Sequence, residues 1–322
     1  MNTKNHSIEH VLKIKKLKHV FFITSPIVEI VAFQVLHKFN IPLDRVILVS
    51  LRGYAPKLIN AELVVSRKSY LSRILLRFLN FSYEGYRVKR KLIKQADKYI
   101  LYAPWDTDQA IEVMSSNLCA GHVYLEEGQM TYQYNKPYNV DLSRKGKYQR
   151  ISKWKKGLKK LSYRDDVPVF NEFYNEAALA YVGISDKVYP AIDRSKVVVI
   201  NDMSKIKEVY KFKIKDKRSI GVMCTPRRLV NIGVIESVNR LMACLPENSC
   251  IKLHPDFYNI KKTVLEVDEH IKNSGRKIEL CDEDVVIELE MLCSNKKLYG
   301  AVTSLSKYAE IFGSEYEKVD LY

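Results

Sequence analysis

The hydrophobic positions of the chain fall into short apolar runs that alternate with longer stretches of helical periodicity. Residues 19–24 form a run of the kind found in buried parallel strands. Proline suits the first position of a helix, so Ser25 and Pro26 predict a helix over residues 27–39. Residues 44–50 predict the next strand. A strand–helix–strand order gives a parallel sheet with a right-handed crossover by default.

The same alternation continues to the end of the sequence. Further strands are predicted at residues 98–103, 121–125, 196–200, 219–224, 250–253, 277–280 and 298–302, the last being the final strand. Helices are predicted at residues 71–94 with a break near Asn80, and at 107–116, 170–181, 232–244, 263–273, 285–292 and 307–312.

A lysine-rich, glycine-poor segment at residues 205–218 separates two such series of strands and helices. A length of 322 residues fits two domains, so we expect an N-terminal domain at 1–205 and a C-terminal domain at 206–322. The pattern predicts an α/β fold of the GT-B class, with two Rossmann-like domains whose parallel sheets face a central cleft. Other two-domain α/β proteins share this pattern, so function has to be argued from the site.

The net charge of +16 favours anionic partners, which include nucleic acid, anionic lipid and small anionic substrates. The six cysteines form no C-x-x-C pair and no Cys/His ligand cluster, which is typical of free thiols in a reducing compartment. No stretch approaches the roughly 20 apolar residues that span a bilayer, and the apolar run at 20–23 is too short for a signal peptide. We expect a cytoplasmic protein that can associate with the inner face of the cytoplasmic membrane.

A carboxylate pair, Glu126 and Glu127, follows the predicted strand 121–125. Ligands of open α/β sheets bind at the carboxyl ends of strands. Adjacent residues of a strand point to opposite faces, but Gly128 lets the chain turn and relaxes that constraint. One carboxylate can then serve as a general base while the other holds the loop. A solvated acidic turn is the alternative interpretation.

His254 and Pro255 end the predicted strand 250–253. Proline pushes the preceding residue into extended geometry, so the imidazole ring is expected to project from the sheet edge. Such a ring can donate a hydrogen bond to a phosphate or protonate it near neutral pH. A partly buried structural histidine is the alternative.

Three hydroxyls, those of Thr303, Ser304 and Ser306, lie at the last predicted strand-to-helix junction. The N-terminus of a helix favours anions through its free N–H groups and its dipole, and hydroxyls add further donors. Helix capping is the alternative, although capping accounts for one hydroxyl and not for three.

The order and spacing of these motifs resemble those of bacterial GT-B sialyltransferases. That group carries a (D/E)(D/E)G motif in the first domain, an HP motif in the second and a Ser/Thr motif near the C-terminus. The resemblance implies an inverting, metal-independent transfer of sialic acid from CMP-sialic acid. The acceptor would be a sugar hydroxyl of a lipooligosaccharide or capsule glycan, and no cofactor beyond the donor would be needed.

The resemblance also implies roles for individual residues. One of Glu126 and Glu127 would take the proton of the acceptor hydroxyl, with Glu126 preferred. His254 would stabilise or protonate the departing phosphate of CMP. The remaining residues of the donor site would be Ser304 with Thr303 or Ser306 at the phosphate, Thr225 and Pro226 near the nucleotide, and Pro255.

Residues 144–164 are crowded with lysine and arginine around Trp154, which favours contact with an anionic membrane surface or an anionic glycan. A solvated basic face is equally compatible. Transferases that use other cytidine-activated donors, such as Kdo or glycerol phosphate, remain an alternative. A basic nucleic-acid-binding protein is a second alternative, but the chain shows no RRM, zinc-finger or recognition-helix signature, so no nucleic-acid partner is expected. The sequence does not identify the acceptor or the linkage.

Overall fold

The computed structural model describes residues 17–51, 54–65, 83–95, 98–114, 116–133, 174, 177–214, 216–292 and 296–322. The chain divides into two compact units, Met1–Asp202 and Met203–Tyr322. This division lies three residues before the expected boundary at residue 205. Each unit is built on one parallel sheet with helices between its strands.

The first unit contains a seven-stranded parallel sheet in the order β3-β2-β1-β4-β5-β6-β7. Its strands are β1 (Leu17–Ile23), β2 (Val46–Ser50), β3 (Glu62–Val65), β4 (Lys98–Ala103), β5 (Cys119–Leu125), β6 (Ala180–Gly183) and β7 (Val197–Val199). Its helices in the described ranges are α1 (Pro26–Lys38), α2 (Tyr83–Gln95) and α3 (Asp108–Met114). The strand order reverses between β1 and β4, so the crevice where such folds bind ligands lies at the carboxyl ends of these two strands.

The central strands of this sheet are apolar because they are buried. In β1, all residues except Lys18 are buried, and β2 is buried throughout. Helix α1 is buried from Ile27 to Leu36, because it packs on the sheet with apolar side chains on most of its circumference. Proline occupies the first position of α1, as the sequence predicts.

The second unit contains a five-stranded parallel sheet in the order β10-β9-β8-β11-β12. Its strands are β8 (Ser219–Val222), β9 (Ser249–Lys252), β10 (Ile278–Leu280), β11 (Lys297–Gly300) and β12 (Glu315–Lys318). Its helices are α4 (Ser204–Val209), α5 (Val234–Cys244), α6 (Pro255–Tyr258), α7 (Lys261–Asn273), α8 (Ile287–Glu290) and α9 (Ser304–Ile311).

The strand order of the second sheet reverses between β8 and β11. Gly300 ends β11 and pairs with Val222 at the end of β8. A Cβ atom on Gly300 would lie 2.6 Å from the carbonyl oxygen of Val222. Only glycine therefore permits this close approach of the two strand ends at the reversal point.

The predicted fold class is confirmed, since both units are Rossmann-like and both sheets are parallel. Three strands were not predicted, namely β3, β6 and β12. The prediction that residues 298–302 form the final strand is wrong, because β12 follows. The helix predicted at 170–181 is also wrong in its described part, where Ala180 and Tyr181 begin β6.

Several predictions lie outside the described residues, including the basic segment 144–164, Trp154, the break near Asn80 and Cys293. The other five cysteines are free thiols. Within the described ranges no helix has the length and apolar character needed to cross a membrane.

Candidate functional site

Glu126, directly after β5, has a fully buried carboxylate, and each of its oxygens accepts a hydrogen bond from the protein. The Tyr132 hydroxyl donates to its Oε1 at 2.5 Å, and the Ile184 amide donates to its Oε2 at 2.8 Å. A Cβ atom on Gly183 would lie 2.7 Å from the same Oε2, so glycine at the end of β6 leaves room for the carboxylate. These contacts tie β5 to the loop after β6.

Glu127, the next residue, is partly exposed to solvent. The Thr24 hydroxyl donates to its Oε1 at 2.8 Å. Gly128 has a φ of 63°, the left-handed region that glycine tolerates, so the chain turns directly after the two carboxylates. An exposed carboxylate can reach the proton of a bound substrate, whereas a buried one cannot. Glu127 is thus the carboxylate of the pair that solvent can reach, whereas Glu126, the residue preferred as the base from the sequence, is enclosed.

Tyrosines surround the carboxylate pair. Tyr174 packs against Tyr124, Tyr181 and Tyr189, with ring centroids 5.0, 5.8 and 5.3 Å apart. Burial, and then the charge of Glu127, raise the pKa of Tyr174 well above its usual value. Burial likewise raises the pKa of Tyr189. These hydroxyls therefore stay protonated and act only as neutral groups beside the acid pair.

Asp106 is a further buried carboxylate of the same sheet edge, in the loop after β4. The Tyr124 hydroxyl donates to its Oδ1 at 2.5 Å. Neither Asp106 nor Thr24 was singled out from the sequence. Only their positions could have indicated that they belong to the site. Both residues follow strands whose carboxyl ends adjoin the reversal point of the sheet.

The candidate residues of the second unit gather at one edge of its sheet. Thr225 follows β8, His254 follows β9, and Thr303 follows β11. These three strands are neighbours, and all run parallel. Their carboxyl ends therefore lie side by side, so the structure brings together three segments that are distant in sequence.

His254 has extended backbone geometry, with φ −62° and ψ 142°, as expected for a residue before proline. Its Nδ1 accepts a hydrogen bond from the Asp256 amide at 3.2 Å, and it lies 3.6 Å from an oxygen of the Asp256 carboxylate. Since Nδ1 accepts from an amide, the neutral ring carries its proton on Nε2. Burial lowers the pKa of His254 below 6.5, and the charge of Asp256 only partly offsets this. Near pH 7 the ring is a neutral donor through Nε2.

The three hydroxyls at the start of α9 differ in their hydrogen bonds. Thr303 is the N-cap, and its Oγ1 accepts from the Leu305 amide at 3.3 Å. The Ser306 hydroxyl donates to the Thr303 carbonyl at 2.7 Å. The Ser304 hydroxyl makes no hydrogen bond to any residue of the described ranges and is partly exposed. Ser304 is therefore the member of this cluster best suited to contact a ligand.

Thr225 and Pro226 begin a short 3₁₀ turn after β8, and Pro255 is the first residue of α6. In both places proline fixes the backbone as it leaves the sheet. Arg228 in the same turn donates to the Tyr322 hydroxyl at 2.9 Å. Thr225 makes no capping hydrogen bond through its side chain.

Lys252, the last residue of β9, is buried beside this edge. Its Nζ donates to the carbonyls of Asp282 and Glu283 at 2.7 and 2.8 Å, which ties down the loop after β10. Burial lowers its pKa to about 8. The described residues contain no group of three or more His, Cys, Asp and Glu side chains placed to bind a metal ion.

No protein-family model and no curated protein sequence matches the chain. Among solved structures, it is similar to the S. aureus MnaA–UDP co-structure, with 13% identity, a TM-score of 0.54, and coverage of 95% of this chain and 80% of that one. It is also similar to a Listeria monocytogenes protein assigned as a UDP-N-acetylglucosamine 2-epimerase, with 11% identity, a TM-score of 0.50, and coverage of 94% and 79%. At these identities the similarity establishes the fold.

Proposed function

We propose that the chain is a glycosyltransferase that moves sialic acid from CMP-sialic acid to a sugar hydroxyl of a cell-surface glycan. One observation carries the proposal. Thr225, His254 and Ser304 follow three adjacent strands at one sheet edge of the second unit, where a donor phosphate can be bound. The first unit supplies a partly exposed carboxylate, Glu127, at the corresponding edge of its own sheet.

The proposed reaction is a single displacement with inversion at the anomeric carbon. The proton of the acceptor hydroxyl moves to the Glu127 carboxylate as the acceptor oxygen bonds to the anomeric carbon. The bond between that carbon and the phosphate oxygen breaks, and CMP leaves with its electron pair. A transition state with oxocarbenium character gains most from groups that stabilise the departing phosphate.

The second unit would supply those groups as neutral donors. His254 would donate from Nε2 to a phosphate oxygen, because its Nδ1 is occupied by the Asp256 amide. The Ser304 hydroxyl and the first amides of α9 would bind the same phosphate. Thr303 and Ser306 would hold this turn in place through their own hydrogen bonds. We assign His254 the role of a hydrogen-bond donor, because burial lowers the pKa of its ring.

Other activated donors compete with CMP-sialic acid for this role. CMP-Kdo and CDP-glycerol present the same cytidine and phosphate chemistry. A UDP-sugar is a further candidate, favoured by the S. aureus MnaA–UDP co-structure among the similar folds. The residues at the sheet edge would contact phosphate in every case, so the choice among donors needs a measurement.

The test is a donor panel assayed with the full-length chain. CMP-sialic acid, CMP-Kdo, CDP-glycerol and UDP-N-acetylglucosamine are each incubated with and without lipooligosaccharide or capsule glycans, and nucleotide release is followed by chromatography. We expect acceptor-dependent CMP release from CMP-sialic acid, with sialic acid found on the glycan. Turnover of another donor alone, or epimerisation of the UDP-sugar without UDP release, contradicts the proposal. Salt-sensitive binding to DNA or RNA with no nucleotide-sugar turnover contradicts it as well.

A further inference from the structure

Thr24 and Glu127 form a hydrogen bond between residues 103 positions apart in the sequence. Thr24 follows β1 and is 6% exposed, while Glu127 lies just beyond β5. A carboxylate can only accept, so the single proton of the Thr24 hydroxyl is directed to Glu127 Oε1. This fixes both the hydroxyl rotor and one oxygen of the carboxylate.

This hydrogen bond lies at the edge of the sheet where ligands of such folds bind. The strands run in the order β1-β4-β5, so the bond spans the carboxyl end of β4. Glu127 is thereby drawn from the end of β5 towards β1, over the crevice at which the strand order reverses. Open α/β sheets bind their ligands in this crevice. Helix α1 also starts here, since its first residue, Pro26, lies two positions after Thr24.

The neighbouring residue shows that this crevice has spare hydrogen-bonding capacity. The hydroxyl oxygen of Ser25 is buried and has no hydrogen-bond partner among the described residues. It does not cap α1, although it occupies the N-cap position. A buried hydroxyl without a partner is unusual and is consistent with a place that a ligand fills.

We propose that Thr24 is a positioning residue, which holds the Glu127 carboxylate over the β1–β4 crevice so that it meets the acceptor hydroxyl there. This inference rests on the proposed function, because it assigns the place where the acceptor is deprotonated. In this role Thr24 acts through Glu127 and needs no contact with the transferred sugar or the phosphate. Its effect passes through the orientation and the ionisation of Glu127.

The test replaces Thr24 with valine, which keeps the shape and removes the hydroxyl, and with serine, which restores it. We expect Thr24→Val to lower kcat about 10- to 100-fold, as for the loss of a hydrogen bond to a charged group, with the KM for the donor unchanged. The acidic limb of the kcat/KM profile should move to higher pH, because the lost donor favoured the ionised carboxylate. Thr24→Ser should recover most of the activity and the original profile.

Thr131→Val is the matched control. The Thr131 hydroxyl donates to the Gly128 carbonyl at 2.8 Å and is 1% exposed, so this variant loosens the same loop without touching the bond to Glu127. Its pH profile should match that of the wild type. Equal kcat and equal pH profiles in wild type and Thr24→Val would overturn the positioning role, as would a shifted profile in Thr131→Val.

A second measurement separates the failure of this inference from the failure of the proposed function. Carboxyl ¹³C NMR titration of Glu127 does not require turnover, and its midpoint should rise in Thr24→Val and return in Thr24→Ser. If the wild type turns over no donor, the proposed function fails and the positioning role fails with it, even where the titration shows the bond. If the wild type is active and the midpoint is unchanged, only the positioning role is wrong.

Discussion

At the scale of single residues, two adjacent carboxylates differ in burial and in their hydrogen-bond partners. Glu126 is enclosed and accepts from Tyr132 and Ile184, whereas Glu127 is partly exposed. We expect Glu127→Gln to lower kcat by about 10²- to 10⁴-fold, the usual range for a lost general base, with donor affinity retained. Steady-state kinetics and donor titration measure the two quantities.

Glu126→Gln is the counterpart of that variant and should behave in the opposite way. An amide at this position turns its NH₂ group towards one of two existing donors, which leaves buried groups unsatisfied. We expect a loss of about 1–3 kcal/mol in the free energy of unfolding, measured with urea, and a kcat close to that of wild type. A large kcat loss in Glu126→Gln with normal kcat in Glu127→Gln would reverse the assignment.

Substitutions of His254 test whether its ring acts as a hydrogen-bond donor or as a general acid. His254→Ala should lower kcat/KM about 10²- to 10³-fold, as for the loss of one donor to a developing charge. His254→Gln retains an N–H near the position of Nε2, but its amide cannot transfer a proton as an acid. If hydrogen bonding is the only role of His254, this variant should keep most of the activity. His270→Ala is the control, since His270 contacts Asn239 on the surface of the second unit. An inactive His254→Gln would instead support proton transfer by the ring.

At the scale of elements, the two units share a device in which a buried glutamate anchors a loop. Glu29 in α1 accepts from the Tyr54 hydroxyl and from the amides of residues 57–59. Glu290 in α8 accepts from the Tyr210 hydroxyl and from the amides of Lys213 and Ile214. Glu126 follows the same plan with Tyr132 and Ile184. In each case one carboxylate satisfies backbone N–H groups that would otherwise be buried without partners.

This device predicts a stability effect without a catalytic one. Glu290→Gln should lower the free energy of unfolding by about 1–3 kcal/mol, because the amide cannot accept from all three donors. Glu266→Gln on α7 is the matched control, since Glu266 is 53% exposed and should change stability by less than about 0.5 kcal/mol. Urea unfolding compares the two variants. Equal stabilities would show that the anchor at Glu290 contributes nothing.

Local sequence patterns predict the central strands β1, β4, β8 and β11 around the two reversal points but miss β3, β6 and β12. β1, β2 and β4 are recognisable because strands covered on both faces are continuous apolar runs. β12 has the sequence Glu-Tyr-Glu-Lys and is largely exposed, so no apolar pattern marks it. The candidate site residues at strand ends were predictable because the apolar runs before them mark the strands.

Contacts between distant segments leave no trace in such patterns. The bond between Thr24 and Glu127 joins the ends of β1 and β5, which come together only when β4 is placed between them. The burial of Glu126 depends in the same way on β6, a strand that the sequence did not predict. Local sequence patterns therefore cannot predict the different surroundings of the two carboxylates.

At the scale of the whole molecule, the charge is divided unevenly. Residues 1–202 contain 33 lysines and arginines against 19 aspartates and glutamates, a net charge of +14. Residues 203–322 contain 20 against 18, a net charge of +2. Part of the basic surface is visible on α2, where exposed Arg87, Arg90 and Lys94 lie on one face and Val88 and Leu92 are buried on the other. The unit that carries the proposed base therefore carries nearly all of the positive field.

This asymmetry predicts that salt affects the two substrates differently. An anionic acceptor glycan, or an acceptor displayed on an anionic membrane, would be attracted by the first unit, and raising NaCl from 0.05 to 0.5 M shortens the Debye length from roughly 14 Å to roughly 4 Å. We expect the KM for such an acceptor to rise several-fold over this range, while the KM for the donor changes less than about twofold. A neutral oligosaccharide acceptor is the control and should show little dependence on salt. If both acceptors respond alike, the positive field acts on something other than the acceptor, and its recognition must rest on short-range contacts.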